Sequence, residues 1–316
     1  MNNLTIIIPA YNREKTIKRA LDSVVSQIDK ITELMIINDG SEDATSSIVK
    51  QYKEKYPQKI SYFEKQNQGV ADTRNFGITH AKSDYIMFLD SDDYIERNLI
   101  KQLEKYMNEN IDIIKFKSQC VNDNNELINK IDGPVFDSII GQDAFNKLAF
   151  SDILIDSPCL YIFKKELFIK NDLFFREGTY HEDFGLIPLV LLMAKSVVSL
   201  DVYGYYYVQT DNSITRNNDY KKTIKRFEDC LLHYDNMLEF ISKFDFSNQT
   251  KQNLKIYYTN AVLLKLKGIQ KQERKNYIKE IKQRKMIKNI KAKNIKQLLK
   301  RIVITVNINW YLKLIK

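Results

Sequence analysis

Over its first ninety residues the chain alternates short β-branched runs with stretches of helix length, and few architectures accommodate that pattern. Residues 4–8 form an apolar run of the kind buried on both faces of a parallel sheet. Residues 16–26 follow with Ile17, Ala20, Leu21, Val24 and Val25 at helical spacing. A second buried-type run at 34–38 ends in Asp39-Gly40-Ser41. Helical segments are then expected at 43–55 and 71–81, and strands at 60–63 and 85–89, the last leading straight into Asp90. Strands alternating with helices of this length form a mostly parallel α/β sheet flanked by helices.

Such sheets bind ligands beyond the carboxyl ends of their strands. Tyr11, Asn12, Asp39 and residues 90–93 all fall at that edge. Asp90-Ser91-Asp92-Asp93 sets three carboxylates behind a buried strand, where their repulsion calls for a cation. Mg²⁺ or Mn²⁺ prefers carboxylate oxygens and shares its coordination sphere with phosphates. The plain alternative is an acidic turn capping the following helix.

The ordered set Ile8-Pro9-Ala10-Tyr11-Asn12, Asn38-Asp39-Gly40-Ser41, Gly69-Val70-Ala71-Asp72-Thr73-Arg74-Asn75-Phe76-Gly77 and Phe88-Leu89-Asp90-Ser91-Asp92-Asp93 closely resembles family 2 glycosyltransferases of the GT-A fold, of the bacterial cell-surface polysaccharide type. A looser likeness continues through Pro158-Cys159, Glu182-Asp183-Phe184 and Asn212-Ser213-Ile214-Thr215. The resemblance implies an inverting, metal-assisted transfer of a hexose or N-acetylhexosamine from a UDP-sugar to a hydroxyl of a glycan or lipid-linked acceptor. It assigns Pro9, Ala10, Tyr11, Asn12 and Asp39 to uridine, Tyr11 near the uracil ring and Asp39 accepting from its imide N–H. Arg74 and, more loosely, Arg216 fall to the diphosphate. Asp90, Ser91 and Asp92 line the nucleotide sugar, with Asp92 as the direct ligand of Mn²⁺ or Mg²⁺ and Asp90 supporting it. Glu182-Asp183 matches the family's acidic pair, with Asp183 favoured as the base. An acceptor hydroxyl must lose its proton as it attacks, so such a group is needed. Without the resemblance, the pair reads as acids favoured by the dipole at a helix start. His181 reads as a structural or solvated histidine.

The expected organisation is a GT-A catalytic domain at 1–217, with a nucleotide-binding half at 1–100 and an acceptor-binding half at 101–217, and a basic, mostly helical region at 218–316. Charge supports two regions. Of 49 Lys and Arg and 40 Asp and Glu, residues 251–316 carry 19 basic residues against Glu273 and Glu280 only, leaving 30 against 38 for residues 1–250. That basic end, with an apolar run at 302–315, suits anionic lipid headgroups. Packing onto the catalytic domain, or a homodimer, is the alternative. No stacking-aromatic pattern or DNA-binding motif points to nucleic acid. Three scattered cysteines without metal spacing and no signal-like leader lead to the expectation of a cytoplasmic protein, peripheral at the inner membrane face.

Two competing enzymes fit less well. A haloacid-dehalogenase-type phosphatase also places DxD after a strand, but usually the first strand and with Thr or Val where Tyr94 stands here. A dinucleotide oxidoreductase would carry GxGxxG after the first strand, and none occurs. The remaining alternative is a membrane- or nucleic-acid-binding protein with an inactive transferase domain. The intact set Asp39, Arg74, Asp92 and Asp183 argues against it.

Overall fold

The computed structural model of the chain describes residues 3–151, 155–209, 219–290 and 308. The described chain forms two compact units, Met1–Gly178 with Glu182–Ser213, and Thr179–His181 with Ile214–Lys316.

The first unit is built on one sheet. Its opening half is β1 (Leu4–Ala10), α1 (Ile17–Val25), β2 (Glu33–Asn38), α2 (Thr45–Lys55), β3 (Ile60–Glu64), α3 (Val70–His80) and β4 (Tyr85–Phe88). Every residue of β1, β2 and β4 is buried, as the apolar runs require when both faces are covered. Helix α1 buries Ile17, Ala20, Leu21 and Val24 of the stripe read from the sequence and leaves Val25 half-buried. The strands run parallel in the order β3-β2-β1-β4. The chain thus winds outward from β1 to β3 and returns on the other side of β1. That reversal opens a crevice between the carboxyl ends of β1 and β4, the usual ligand position in such sheets. Helix α3 lies very close to this sheet. A Cβ at Gly77 would sit 2.5 Å from Ile7 Cγ2, so only glycine allows the approach.

The second half adds β5 (Tyr94–Ile95), α4 (Leu99–Asn108), β6 (Ile113–Asn122), β7 (Leu127–Ile131), β8 (Phe136–Ile139), α5 (Gly141–Leu148), β9 (Tyr161–Lys164), α6 (Glu166–Ile169), α7 (Glu182–Met193) and β10 (Val197–Gln209). Strand β9 runs antiparallel between β4 and β6, and β10 pairs parallel with β6. Strands β6 and β7 pair antiparallel as a hairpin. Helix α7 is apolar almost all round and buries Phe184 and every residue from Leu186 to Leu192, Pro188 among them. A helix of that kind belongs in a core, and its first turn is carried in with it.

The second unit is helical: α8 (Tyr220–Lys243), α9 (Asn248–Leu266) and α10 (Arg274–Gln283). Asp219 caps α8 by accepting from Lys221 N–H, and Ser247 caps α9 by accepting from Thr250 N–H. Tyr180 is fastened to α8 at both ends of its peptide: its N–H donates to Asp229 Oδ2 at 2.8 Å, and its carbonyl lies 3.0 Å from His233 Nε2. No helix among the described residues is long and apolar enough to cross a membrane.

Candidate active site

The first unit brings its polar residues to the β1–β4 crevice by cross-tying the loops that leave the strands. Asn12, with a left-handed backbone (φ 52°), donates its N–H to Ser41 Oγ, while its side-chain oxygen accepts from Glu42 N–H. Asp39 N–H donates to Ala10 O at 2.8 Å. Pro9 and Ala10 are buried within β1, and the Tyr11 ring just past it is 43% exposed. Asn12 is therefore a fastener between two loops, and Tyr11 offers an open aromatic face.

Asp39 is 4% exposed. Its carboxylate accepts from Gln68 N–H at 3.0 Å, from Gly69 N–H at 2.8 Å and from the Lys65 ammonium, which also pairs with Asp72. Gly69 reaches this position at φ 92°, open to glycine alone at little cost. A carboxylate offers about four acceptor positions, so one is left for a further donor.

The run after β4 divides its carboxylates. Leu89 N–H bonds Ile7 O, and Asp93 N–H closes a turn onto Asp90 O. Asp93 turns inward: 2% exposed, it accepts from Tyr205 Oη–H at 2.5 Å and from Val208 N–H at 2.8 Å. This corrects the expectation of three carboxylates awaiting one cation, because Asp93 is matched by donors of β10. Ser91 is also buried. Asp90 and Asp92 remain at the edge, with side chains 37% and 42% exposed. Burial and the neighbouring Asp90 charge raise the Asp92 carboxyl, and Arg13, with Nε 3.7 Å away, opposes them. Arg19 donates to the Asp92 carbonyl at 2.8 Å and steadies the turn.

A divalent cation fits this pair chemically, since it would relieve the repulsion that raises Asp92. No group of three or more His, Cys, Asp or Glu arranged for a metal occurs among the described residues. The rest of a coordination shell would have to come from ligand oxygens and water, the usual way Mg²⁺ is held beside phosphates.

Arg74 lies between the two acidic runs. Its Nη2 donates to Asp90 Oδ1 at 2.9 Å and its Nη1 to Glu182 Oε1 at 2.8 Å, and the residue is 5% exposed. Its Nε has no partner among the described residues, and its guanidinium carbon stands 5.4 Å from the Phe175 ring centroid. Cys159, fully buried, has its thiol pushed well up by burial and by Asp90, which keeps it protonated.

The acidic pair divides as well. Glu182 is ion-paired with Arg74, whereas Asp183 accepts Phe184 N–H at 2.7 Å. Burial at the head of α7, then the charges of Glu182 and Asp156, push the Asp183 carboxyl up to about 7, with Arg74 acting against them. A carboxylate held there can accept a proton near neutral pH far better than an ordinary aspartate. His181 belongs to the second unit. It has φ 59°, an Nε2 without a partner among the described residues, and a pKa lowered to about 4 by burial and by Lys265, Arg226 and His233. Arg216 lies outside the described residues.

Sequence reasoning passed over Arg13, Lys65, Asp93 and Asp156 as separate actors. Lys65 had a usable signal, because it directly follows β3 on the edge that carries Asp39. The partners of Asp93 had none, since they lie more than a hundred residues away.

Comparison with known proteins places the family and the fold. The sequence model of the family described as glycosyl transferase family 2 matches residues 5–171. Glycosyltransferase GlyA of Streptococcus pneumoniae is 28% identical over 229 residues, 68% of this chain and 32% of that protein. The poly(ribitol-phosphate) beta-N-acetylglucosaminyltransferase TarS of Staphylococcus aureus is 28% identical over 217 residues, 66% of this chain and 35% of that protein. The chain thus spans about a third of the length of these two relatives. The crystal structure of TarS residues 1–349 in complex with UDP-GlcNAc superposes with a TM-score of 0.69 at 20% identity, covering 91% of this chain and 81% of that one. The likeness extends the shared fold beyond the residues matched by the family model.

Proposed function

The chain belongs to glycosyl transferase family 2, and from that premise we propose that it moves a hexose or N-acetylhexosamine from a UDP-sugar to an acceptor hydroxyl, with inversion, in the synthesis of a bacterial surface polysaccharide. Relatives such as TarS, which acts on poly(ribitol-phosphate), support the substrate class. The observation that carries the reading is the joining of β4's end to α7's start, with Asp90 and Glu182 sharing Arg74.

In this reading uracil lies against Tyr11, and its imide N–H takes the remaining acceptor position of Asp39. Pro9, Ala10 and Asn12 hold the floor of that pocket, and Ser91 packs beneath the diphosphate. Arg13 flanks the diphosphate beside Asp92, and Arg216 is its second clamp. Asp92 and Asp90 would hold Mn²⁺ or Mg²⁺, which would supply positive charge beside the diphosphate leaving group. Asp183 takes the proton of the acceptor hydroxyl as that oxygen bonds to the anomeric carbon. The bond from that carbon to the diphosphate oxygen breaks on the opposite side, so the configuration inverts. Glu182, engaged with Arg74, positions α7 and keeps out of the proton transfer.

The basic end supports contact with an anionic membrane surface. Lys275, Lys279 and Lys282 are exposed at helical spacing along α10 and line one shallow groove. Each such lysine near an anionic surface contributes about 1 kcal/mol. Sedimentation with phosphatidylglycerol vesicles should therefore be lost at about 0.5 M salt, and salt-independent or absent binding would favour packing or dimer formation instead.

The deciding experiment is a donor-hydrolysis screen across nucleotide sugars with Mn²⁺ and Mg²⁺, paired with calorimetric UDP binding with and without chelator. A UDP-sugar should be cleaved, and UDP affinity should fall about tenfold or more in chelator. Equal UDP binding in both conditions would remove the metal from the site, and cleavage of GDP- but not UDP-sugars would reassign the donor.

A further inference from the structure

Arg74 matches the residue that the family resemblance sets on the donor diphosphate, yet its surroundings describe a different task. Two of its five N–H donors are committed to carboxylates on separate elements, Asp90 after β4 and Glu182 at the start of α7. The guanidinium is almost wholly buried, beside the Phe175 ring. Asn75, the next residue of α3, clamps the segment carrying that ring: its amide donates to Phe175 O and its carbonyl oxygen accepts from Phe175 N–H, both at 2.8 Å. The glycine contact at 77 presses the same helix onto β1. The helix that carries Arg74 is thus tied down on both sides, and a swing of Arg74 toward solvent would take its cation from Glu182, whose side chain is only 13% exposed, a costly outcome for a charge.

We propose that Arg74 is a positioning residue, a buried strut that holds the donor-side carboxylate Asp90 and the acidic pair Glu182-Asp183 in fixed relation and keeps Asp183 able to accept a proton. The chemistry follows from the local charges. Glu182 and Asp156 both disfavour a charged Asp183, and Arg74 is the cation that counters them. Without it, the Glu182 charge next to Asp183 would lose its counter-ion and Asp183 would hold its proton through neutral pH. The base role itself rests on the proposed transfer reaction, whereas the strut can be tested without any substrate.

The experiment follows the Asp183 carboxyl by carbon-13 NMR against pH in the wild type, Arg74→Lys and Arg74→Met, with Asp183→Asn supplying the assignment and UDP affinity measured on the same samples. The wild-type midpoint should lie near 7. In Arg74→Met it should rise by about one pH unit or more, and in Arg74→Lys by less, because an ammonium keeps the charge but cannot span both carboxylates. UDP affinity should stay within about threefold in Arg74→Lys, since no ligand contact is lost. A tenfold loss of UDP affinity with an unmoved midpoint would overturn the strut and return Arg74 to the diphosphate. Should Arg74→Met fail to fold, Arg74→Lys decides alone: a raised midpoint supports the strut and an unmoved one rejects it. Failure to find any glycosyl transfer would sink the base role while leaving the titration outcome standing.

Discussion

The turn at residues 90–93 and the start of α7 at 182–183 both crowd acids together, and each ties one of them, Asp93 and Glu182, to partners far along the chain. In the turn, Asp93 is satisfied by Tyr205 and Val208, and Asp92 stays half-exposed beside Arg13. At α7, Glu182 is ion-paired with Arg74, and Asp183 is in direct contact with no cation among the described residues. The surroundings then separate the two survivors. Asp92 faces cations and solvent, which suits the ligation of an ion that arrives with the donor. Asp183 stands at the head of an apolar helix, where burial holds its proton up to about 7. Two acidic runs of similar composition are thus tuned toward different chemistry by what is packed around them.

The comparison breaks first at Asp183. Asp183→Asn should lower turnover by about 10³-fold, within the usual range for removing a general base, while UDP binds as before. Comparable turnover in that variant would end its separate role. Asp92→Asn should act at the other step, weakening UDP binding about tenfold in Mn²⁺ and matching the wild type in chelator. If Asp92→Asn leaves binding untouched and lowers turnover alone, the assignment of the two acids is reversed.

A smaller effect distinguishes Asp93 from Asp92. Asp93→Ala strands a buried tyrosine hydroxyl and the Val208 N–H, so it should cost about 1–3 kcal/mol in denaturant unfolding. Asp92→Ala, at a partly exposed site, should cost less than about 1 kcal/mol. Equal losses would mean that the turn is not divided as described.

The smallest effect concerns pH. The Asp183 carboxyl is raised in the folded state, so the native protein binds that proton more tightly than the unfolded chain. Its contribution is present below the unfolded carboxyl range near 4 and is lost as pH rises through about 7. Activity runs the opposite way, rising around pH 7 as the folded-state carboxyl deprotonates. Asp183→Asn should therefore flatten the fall in stability between about pH 4 and pH 7, gaining about 1 kcal/mol or more at the upper end. An unchanged stability profile would show that Asp183 titrates normally.

Much of this was legible in the residues themselves. The apolar runs at β1, β2 and β4 dictate a sheet buried on both faces, and chain order alone then delivers Asp39 and Asp90 to one edge. The ordered motifs through Asp93 identified the family before any coordinates, because loop residues after buried strands are local in the chain. The hairpin between β6 and β7 showed only faintly, since β7 is exposed along most of its length and lacks an alternating pattern.

What the tertiary structure alone decided is which partner each acid meets. Asp93 meets Tyr205 across 112 residues, and Arg74 meets Glu182 across 108. No local pattern encodes such partners, because they depend on β10 and α7 docking beside the first half of the sheet. The residue types at 90–93 and 182–183 therefore specified an acidic site, and long-range packing settled that Asp93 is held by β10 and Glu182 by Arg74.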